Sequence, residues 1–153
     1  MTTYYLDSSA LVKRYAIEVG TAWVRTLCEQ GDEVIAVALF GLAEVAAAVN
    51  GKRRSGTIDA AASNAILNDL KADAAAQYSL LDVDQFVVDE AIDLTSRHRL
   101  RGYDAIHLAC ALRLNRALTG LHLPPLTLVS ADGDLLKAAE GEHLTIENPS
   151  EYS

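Results

Sequence analysis

The sequence predicts a single α/β domain, residues 1–153, with a mostly parallel central sheet between two layers of helices. Short apolar runs that favour strands alternate along the chain with longer segments of helical periodicity. The run at residues 34–37 is apolar throughout rather than alternating, which is typical of a parallel strand that is buried on both faces. A chain of 153 residues is also long enough to bury a core of its own. Together these observations favour a three-layer α/β/α fold.

The first half of the chain begins with a strand and continues mainly as helices. Residues 4–6, Tyr-Tyr-Leu, favour a short strand, and Ser8 or Ser9 can cap the helix that follows. The β-branched run at residues 34–37 predicts the second strand. A polar turn is expected at residues 52–56. Apolar positions at helical spacing predict helices over residues 8–17, 21–29, 39–49 and 57–76.

The second half repeats this alternation. Residues 79–83 predict the third strand, and Pro124-Pro125 prevents any helix from continuing into the fourth, at residues 126–129. A last short strand is predicted at residues 144–146. Helical spacing predicts helices over residues 84–99, 103–112 and 135–140.

The composition is that of a globular protein, since half of the residues are hydrophobic and 22% are charged. The net charge of −8 argues against a protein that coats nucleic acid, because such proteins are basic. No apolar run reaches membrane-spanning length and no signal peptide is evident, so we expect no membrane association and a cytoplasmic location. Cys28 and Cys110 lie in apolar helical patterns, which predicts reduced core thiols.

Four acidic residues stand where burial would leave a negative charge without a partner. Two of them follow strands, one opens an apolar helix, and one lies inside a helix that is apolar nearly all round. No Lys or Arg lies between residues 39 and 51 or between residues 102 and 112. Carboxylate oxygens are the ligands that Mg²⁺ or Mn²⁺ prefers. The four residues are Asp7, Glu44, Asp104 and Asp132.

Each of these residues also has a purely structural explanation. Asp7 and Asp132 could cap helices, and Asp104 could stabilise the positive end of a helix dipole. Glu44 could pair with a cation from the first helix. Acidic residues that gather at the carboxyl ends of parallel strands are nevertheless typical of a functional site, and as a set they favour a shared metal centre.

Four motifs carry these acids in order along nearly the whole chain. They are Tyr-Leu-Asp7-Ser-Ser-Ala-Leu, Leu-Ala-Glu44, Gly-Tyr-Asp104-Ala-Ile-His-Leu-Ala and Val-Ser130-Ala-Asp132-Gly-Asp134-Leu-Leu. In this order and at these spacings, the chain resembles the PIN-domain nucleases, and more narrowly the VapC-type toxins of toxin–antitoxin pairs. One departure is Ala38, where many members of the family have Ser or Thr.

The resemblance implies a three-layer PIN-like fold and an endoribonuclease that leaves 5′-phosphate and 3′-hydroxyl ends. It implies that the four acids hold Mg²⁺ or Mn²⁺, and that the partners are an RNA substrate and a cognate antitoxin of a type II pair. In such a site the metal would activate a water for in-line attack on the phosphodiester. Ser8 and Ser130 would orient metal-bound waters. Asp134 would either ligate the metal or only add to the negative field of the site.

The basic residues gather in three clusters near the acids. Lys13 and Arg14 lie nearest to the acidic centre and are expected to contact substrate phosphates. The clusters at residues 52–54 and 97–101 could hold RNA or could complement helix dipoles. His107 is expected to be packed and hydrogen-bonded in its helix rather than to act as a general base.

Two other function classes compete with the nuclease. A haloacid-dehalogenase-like phosphatase would need a second acid two residues after Asp7, where Ser9 stands. A PIN fold that only binds other molecules is the other alternative. The apolar excess of the helices at 39–49 and 57–76, together with the family resemblance, predicts a homodimer.

Overall fold

A computed structural model, described here for residues 1–152, contains an open five-stranded sheet in the order β3-β2-β1-β4-β5. All four neighbouring pairs of strands are parallel. Helices cover both faces, so the predicted three-layer α/β/α fold is confirmed. The strands are β1 (Thr3–Leu6), β2 (Val34–Ala38), β3 (Ser79–Leu81), β4 (Thr127–Val129) and β5 (Thr145–Glu147).

The helices agree with the predicted order, with different ends. They are α1 (Ser8–Tyr15), α2 (Thr21–Glu29), α3 (Leu39–Arg54), α4 (Ala60–Ala76), α5 (Gln85–Arg97), α6 (Gly102–Gly120) and α7 (Gly133–Gly141), followed by a short 3₁₀ helix at Pro149–Glu151. None of the helices within residues 1–152 is both long and apolar enough to cross a membrane.

Helix α3 differs from its prediction in two respects. It runs on through residues 52–54, because Lys and Arg are good helix formers and their charges suit the negative end of the helix dipole. The prediction of a polar turn was therefore wrong for residues 52–54 and is confirmed for residues 55–56. The helix is also not buried all round, since Ala43, Ala47 and Ala48 are exposed to solvent. Small apolar side chains can face water at little cost, so their hydrophobicity misled the prediction.

Successive residues of β1 pack into different cores, because strand side chains alternate between the two faces of the sheet. Tyr5 belongs to the core formed with α5, α6 and α7. Leu6 belongs to the core formed with α1, α2 and α3. Each core contains one free cysteine, Cys110 or Cys28, and burial raises the pKa of each thiol to about 11. The prediction of reduced core thiols is confirmed.

Strand β1 is the point at which the connections of the sheet change direction. From β1 the chain passes to β2 and β3 on one side, whereas β4 and β5 add to the other side. Leu6 pairs with Val129, so β1 and β4 end at the same edge of the sheet. Ligands of open α/β sheets bind outside the carboxyl ends of the strands at such a switch point. The segments that follow β1 and β4 therefore meet where a site is expected.

Candidate active site

Asp7 lies directly after β1, and its buried carboxylate joins two parts of the chain. Oδ1 accepts hydrogen bonds from the Ala10 backbone N–H over 3.0 Å and from the Ser9 hydroxyl over 2.7 Å. Oδ2 accepts from the Ser130 hydroxyl over 2.6 Å. The side chain is only 2% exposed. Asp7 is thus a helix cap, as the structural explanation proposed, and it also links β1 to the segment after β4.

Ser9 and Ser130 extend this network to the N-terminus of α7. The Ser9 hydroxyl oxygen accepts from the Ala131 backbone N–H over 2.9 Å, and that of Ser130 accepts from the Asp132 N–H over 3.0 Å. Asp132 in turn caps α7, since its Oδ1 accepts from the Leu135 N–H over 3.0 Å. The first and fourth motifs are therefore held together by hydrogen bonds between neutral hydroxyls, carboxylates and backbone.

Glu44 belongs to a separate hydrogen-bond network, in which its partner is His107. Its Oε1 lies 2.6 Å from Nε2 of His107, and Nδ1 of His107 lies 2.7 Å from the Tyr5 hydroxyl. His107 is buried between Tyr5 and Phe40, with ring centroids 5.9 and 4.5 Å away. Burial raises the pKa of Tyr5 well above its ordinary value, so its hydroxyl remains a donor and Nε2–H can face Glu44. Lys13 and Arg14 pair with Glu18 and Asp73 instead, so the alternative in which Glu44 pairs with a cation of the first helix is not observed within residues 1–152.

The charges of three of the acids act on the fourth, Asp104. Asp104 is 7% exposed, and burial raises its pKa to about 6, with further contributions from the charges of Asp132, Asp7 and Glu44. Burial also raises the pKa of Asp7, while hydrogen bonds from the Ser130 and Ser9 hydroxyls and from the Ala10 N–H act in the opposite direction. The carboxylates therefore lie within one electrostatic environment at the carboxyl edge of the sheet.

The donor set fits a hard divalent cation, because it consists of carboxylate and hydroxyl oxygens. Within residues 1–152, however, no three His, Cys, Asp or Glu side chains already stand at the spacing that holds a metal ion. In Asp7, Oδ1 already accepts two hydrogen bonds, whereas Oδ2 accepts one and can accept a second partner. The assignment of the four acids as metal ligands stays a prediction.

Lys13 and Arg14, the predicted substrate contacts, form ion pairs with acidic side chains of the same chain. Lys13 is only 6% exposed, and its Nζ lies 3.2 Å from Oε1 of Glu18, which also approaches Lys52. The Arg14 guanidinium donates to Gln77 and pairs with Asp73, both of which lie at the C-terminal end of α4. Their contact with substrate phosphates stays a prediction, and it would require the exchange of these partners.

The sequence prediction named Ser8 and Asp134 as supporting groups and missed Ser9, Tyr5 and His107 in that role. Ser9 rather than Ser8 faces Asp7, while Asp134 is exposed in the first turn of α7. A Ser two residues after a capping Asp was the available signal for Ser9. The contact of His107 with Glu44 joins residues 63 positions apart, and no local pattern reports it.

The profile of the PIN domain family matches residues 4–141. The chain belongs to the PIN domain family. No curated protein sequence matches it significantly.

Solved structures of similar fold cover nearly the whole domain. PAE2754 from Pyrobaculum aerophilum is 21% identical, with 98% of this chain and 85% of that chain covered at a TM-score of 0.66. A toxin–antitoxin complex from Klebsiella pneumoniae is 16% identical, with 95% and 97% covered at 0.61. VapC20 from Mycobacterium tuberculosis, a toxin that cleaves the sarcin–ricin loop, is 16% identical, with 88% and 94% covered at 0.61. At these identities the similarity establishes a shared PIN-domain fold.

The serine network predicts unequal effects for two neighbouring hydroxyls. Ser9→Ala removes a donor to Asp7 and an acceptor for the Ala131 N–H, so it should lower the free energy of unfolding by about 1–3 kcal/mol. Ser8→Ala is the matched control and should change that free energy by less than about 0.5 kcal/mol. Urea denaturation measures both, and equal losses would contradict the role assigned to Ser9.

The raised pKa of Asp104 predicts a pH-dependent stability difference. In the folded protein this pKa is about 6, whereas an unfolded chain has about 3.9. Because the folded state keeps the proton to a higher pH, the wild type loses stability as the pH rises from about 4 to about 6. Asp104→Asn lacks this loss, so its melting temperature relative to wild type should rise across that range and then level off.

Melting curves in EDTA between about pH 4 and pH 7.5 test this difference. The matched control is Asp93→Asn, at an exposed residue of α5. Its melting temperature relative to wild type should not rise across that pH range. A flat difference for Asp104→Asn would show that folding does not raise the pKa of Asp104.

Proposed function

We propose that this protein is a metal-dependent endoribonuclease and the toxin of a type II toxin–antitoxin pair. The gathering of four carboxylates around the switch point of a PIN fold carries the proposal. Beyond the effect of burial, three of them raise the pKa of the fourth, Asp104, which unrelated helix caps at distant positions would not do. Titratable groups that perturb one another in this way are typical of catalytic sites.

The chain's own residues have two functions in this proposal. Asp7, Glu44, Asp104 and Asp132 would hold Mg²⁺ or Mn²⁺ through their carboxylate oxygens. When bound, the metal ion polarises the phosphodiester and lowers the pKa of a water. Ser9 and Ser130 restrict the Asp7 carboxylate to one orientation, and His107 does the same for Glu44. Such supporting hydrogen bonds orient metal ligands before the metal binds.

The proposed protein partner is a cognate antitoxin. The solved structures of similar fold include a toxin–antitoxin complex and a toxin that cleaves RNA of the sarcin–ricin loop. The net charge of −8 and the acidic centre suit a basic, partly disordered segment of such a partner. An Arg from that segment would bind the carboxylates in place of metal or substrate. A toxin that acts on cellular RNA is expected in the cytoplasm.

The rival functions have less support. The phosphatase alternative needs an acid at position 9, where the Ser9 hydroxyl instead donates to Asp7. The chain also belongs to the PIN family and therefore does not have the haloacid-dehalogenase fold that this alternative requires. A PIN domain that binds without cleaving is distinguished from the nuclease by the cleavage experiment.

The purified protein should cleave RNA with Mg²⁺ or Mn²⁺ and should be inactive in excess EDTA. Glu44→Gln and Asp104→Asn remove charge from the site without changing side-chain size, so each should reduce cleavage by more than about 100-fold. The matched control Asp93→Asn changes the net charge equally and should retain full activity. Cleavage is measured on end-labelled RNA, with melting curves to confirm that each variant is folded.

Mg²⁺ should also raise the melting temperature of wild type more than that of Asp104→Asn, because the ion binds only the folded site. Undiminished cleavage in EDTA would contradict the metal-dependent mechanism. A folded wild type that binds Mg²⁺ but cleaves no RNA would favour the binding module.

A cognate antitoxin should inhibit cleavage through cationic residues. Neutralising the Arg and Lys residues of its toxin-binding tail should weaken inhibition by more than about tenfold, since buried charge pairs cost several kcal/mol when one partner is lost. Titration of cleavage with antitoxin variants measures the effect. Equal inhibition by the neutralised tail would contradict an electrostatic block of the acidic centre.

The homodimer also stays a proposal, supported by large apolar side chains at the surface. Leu39, Phe86 and Ile92 are 48%, 78% and 61% exposed. A symmetric interface between two copies could cover such side chains. Sedimentation at micromolar concentration should give the mass of a dimer, and Phe86→Glu or Ile92→Glu should give a monomer if the interface uses α5. A monomeric wild type would contradict the proposal.

A further inference from the structure

Two exposed side chains stand beside the acidic centre at the start of α6. Arg101 is the residue before the helix, and its Nη1 donates a hydrogen bond to the Tyr103 hydroxyl over 2.8 Å. Tyr103 is 44% exposed, whereas Asp104, the next residue, is 7% exposed. Successive helical residues point about 100° apart. Arg101 and Tyr103 therefore form an exposed pair at the same end of α6 as the buried Asp104.

The charges of Asp104 and Asp132 act on the Arg101 guanidinium, although neither carboxylate forms an ion pair with it. Its pKa is raised, first by the hydrogen bond to Tyr103 and then by the charges of Asp104 and Asp132. Within residues 1–152, Arg101 forms no ion pair with a carboxylate. Four other arginines do so, namely Arg14, Arg97, Arg113 and Arg116.

The free donors of Arg101 suit an external anion. A guanidinium has five N–H groups, and a planar pair of them matches two phosphate oxygens. Without a local cation, a phosphate would be repelled by the carboxylates and by the net charge of −8. Arg101 is placed to offset this repulsion where the phosphodiester would approach Asp104 and Asp132.

The exposed ring of Tyr103 adds a second kind of contact. Nucleobases stack on aromatic side chains, and each such contact contributes about 1–3 kcal/mol regardless of base identity. A base within a duplex is already stacked on its neighbours and cannot lie on a protein ring, so this contact selects unpaired nucleotides. The hydrogen bond between Arg101 and Tyr103 holds the phosphate donor and the stacking surface at one fixed separation.

We propose that Arg101 and Tyr103 form a subsite for an unpaired nucleotide of the RNA substrate. Arg101 binds the phosphate of this nucleotide, and Tyr103 stacks on its base. This inference rests on the proposed ribonuclease function and deepens it, because it assigns two residues of this chain to substrate binding. The subsite brings the neighbouring phosphodiester to the edge of the acidic centre.

The test measures binding of a fluorescein-labelled 12-nucleotide single-stranded RNA by anisotropy. Asp104→Asn serves as the parent protein, so that cleavage does not interfere. Tyr103→Ala should weaken binding by about 5- to 150-fold. Tyr103→Phe keeps the ring and should stay within about threefold of the parent. Arg101→Gln should weaken binding by about tenfold or more.

The matched charge control is Arg116→Gln, which lies on the same helix about 18 Å from Asp104 along the axis. It should bind within about twofold of the parent, because the exposed pair that it breaks contributes little. A blunt duplex of the same sequence should bind the parent at least about tenfold more weakly than the single strand.

Each outcome supports or overturns the subsite independently of the nuclease proposal. Parent-like binding by both Arg101→Gln and Tyr103→Ala would overturn it, even if the wild type cleaves RNA. Equal affinity for duplex and single strand would also overturn it. If the wild type cleaves no RNA but these variants lose single-strand binding, the subsite stands and the nuclease proposal fails. Unchanged RNA binding with weakened antitoxin binding would assign the pair to a protein interface and overturn the subsite.

Discussion

The hydrogen bonds of the buried Asp7 carboxylate are the interaction on which the arrangement of the site depends. A carboxylate at 2% exposure is costly to bury, and here three donors compensate for the lost water. Two of these donors, Ser9 and Ser130, accept hydrogen bonds from the backbone at the start of α7. One carboxylate thus joins the ends of β1 and β4 to the helices that follow them.

A second network connects the other side of the site to the same strand. Tyr5 lies in β1, His107 in α6 and Glu44 in α3, and two short hydrogen bonds join the three side chains. Helix α3 approaches His107 at Gly41, where an added Cβ would lie 3.4 Å from the imidazole. The third motif therefore supplies both an acid, Asp104, and the side chain that holds another acid.

These two networks place like charges close together, which is unfavourable for folding but useful for binding a cation. Burial, followed by the charges of the neighbouring acids, raises the pKa of Asp104 to about 6. This unfavourable arrangement of charges is confined to the carboxyl edge of the sheet. The two cores on the faces of the sheet are apolar, and they contain the large buried side chains of the strands. The apolar cores can thus stabilise the fold, while the sheet edge keeps the unfavourable like charges that would bind a cation.

The sequence by itself determined the α/β class, the order of the elements and the four acidic positions. Strands, caps and apolar stripes are local patterns, and acids stand out against apolar neighbours such as those of Asp104. Only the tertiary structure decided that Ser9 rather than Ser8 supports Asp7, that His107 is the partner of Glu44, and that Lys13 and Arg14 are engaged elsewhere. These pairings join residues from different elements, and they depend on rotations of helices that no spacing along the chain records. The same reason explains why the exposed Ala face of α3 was misjudged, because burial is a property of what packs against a helix.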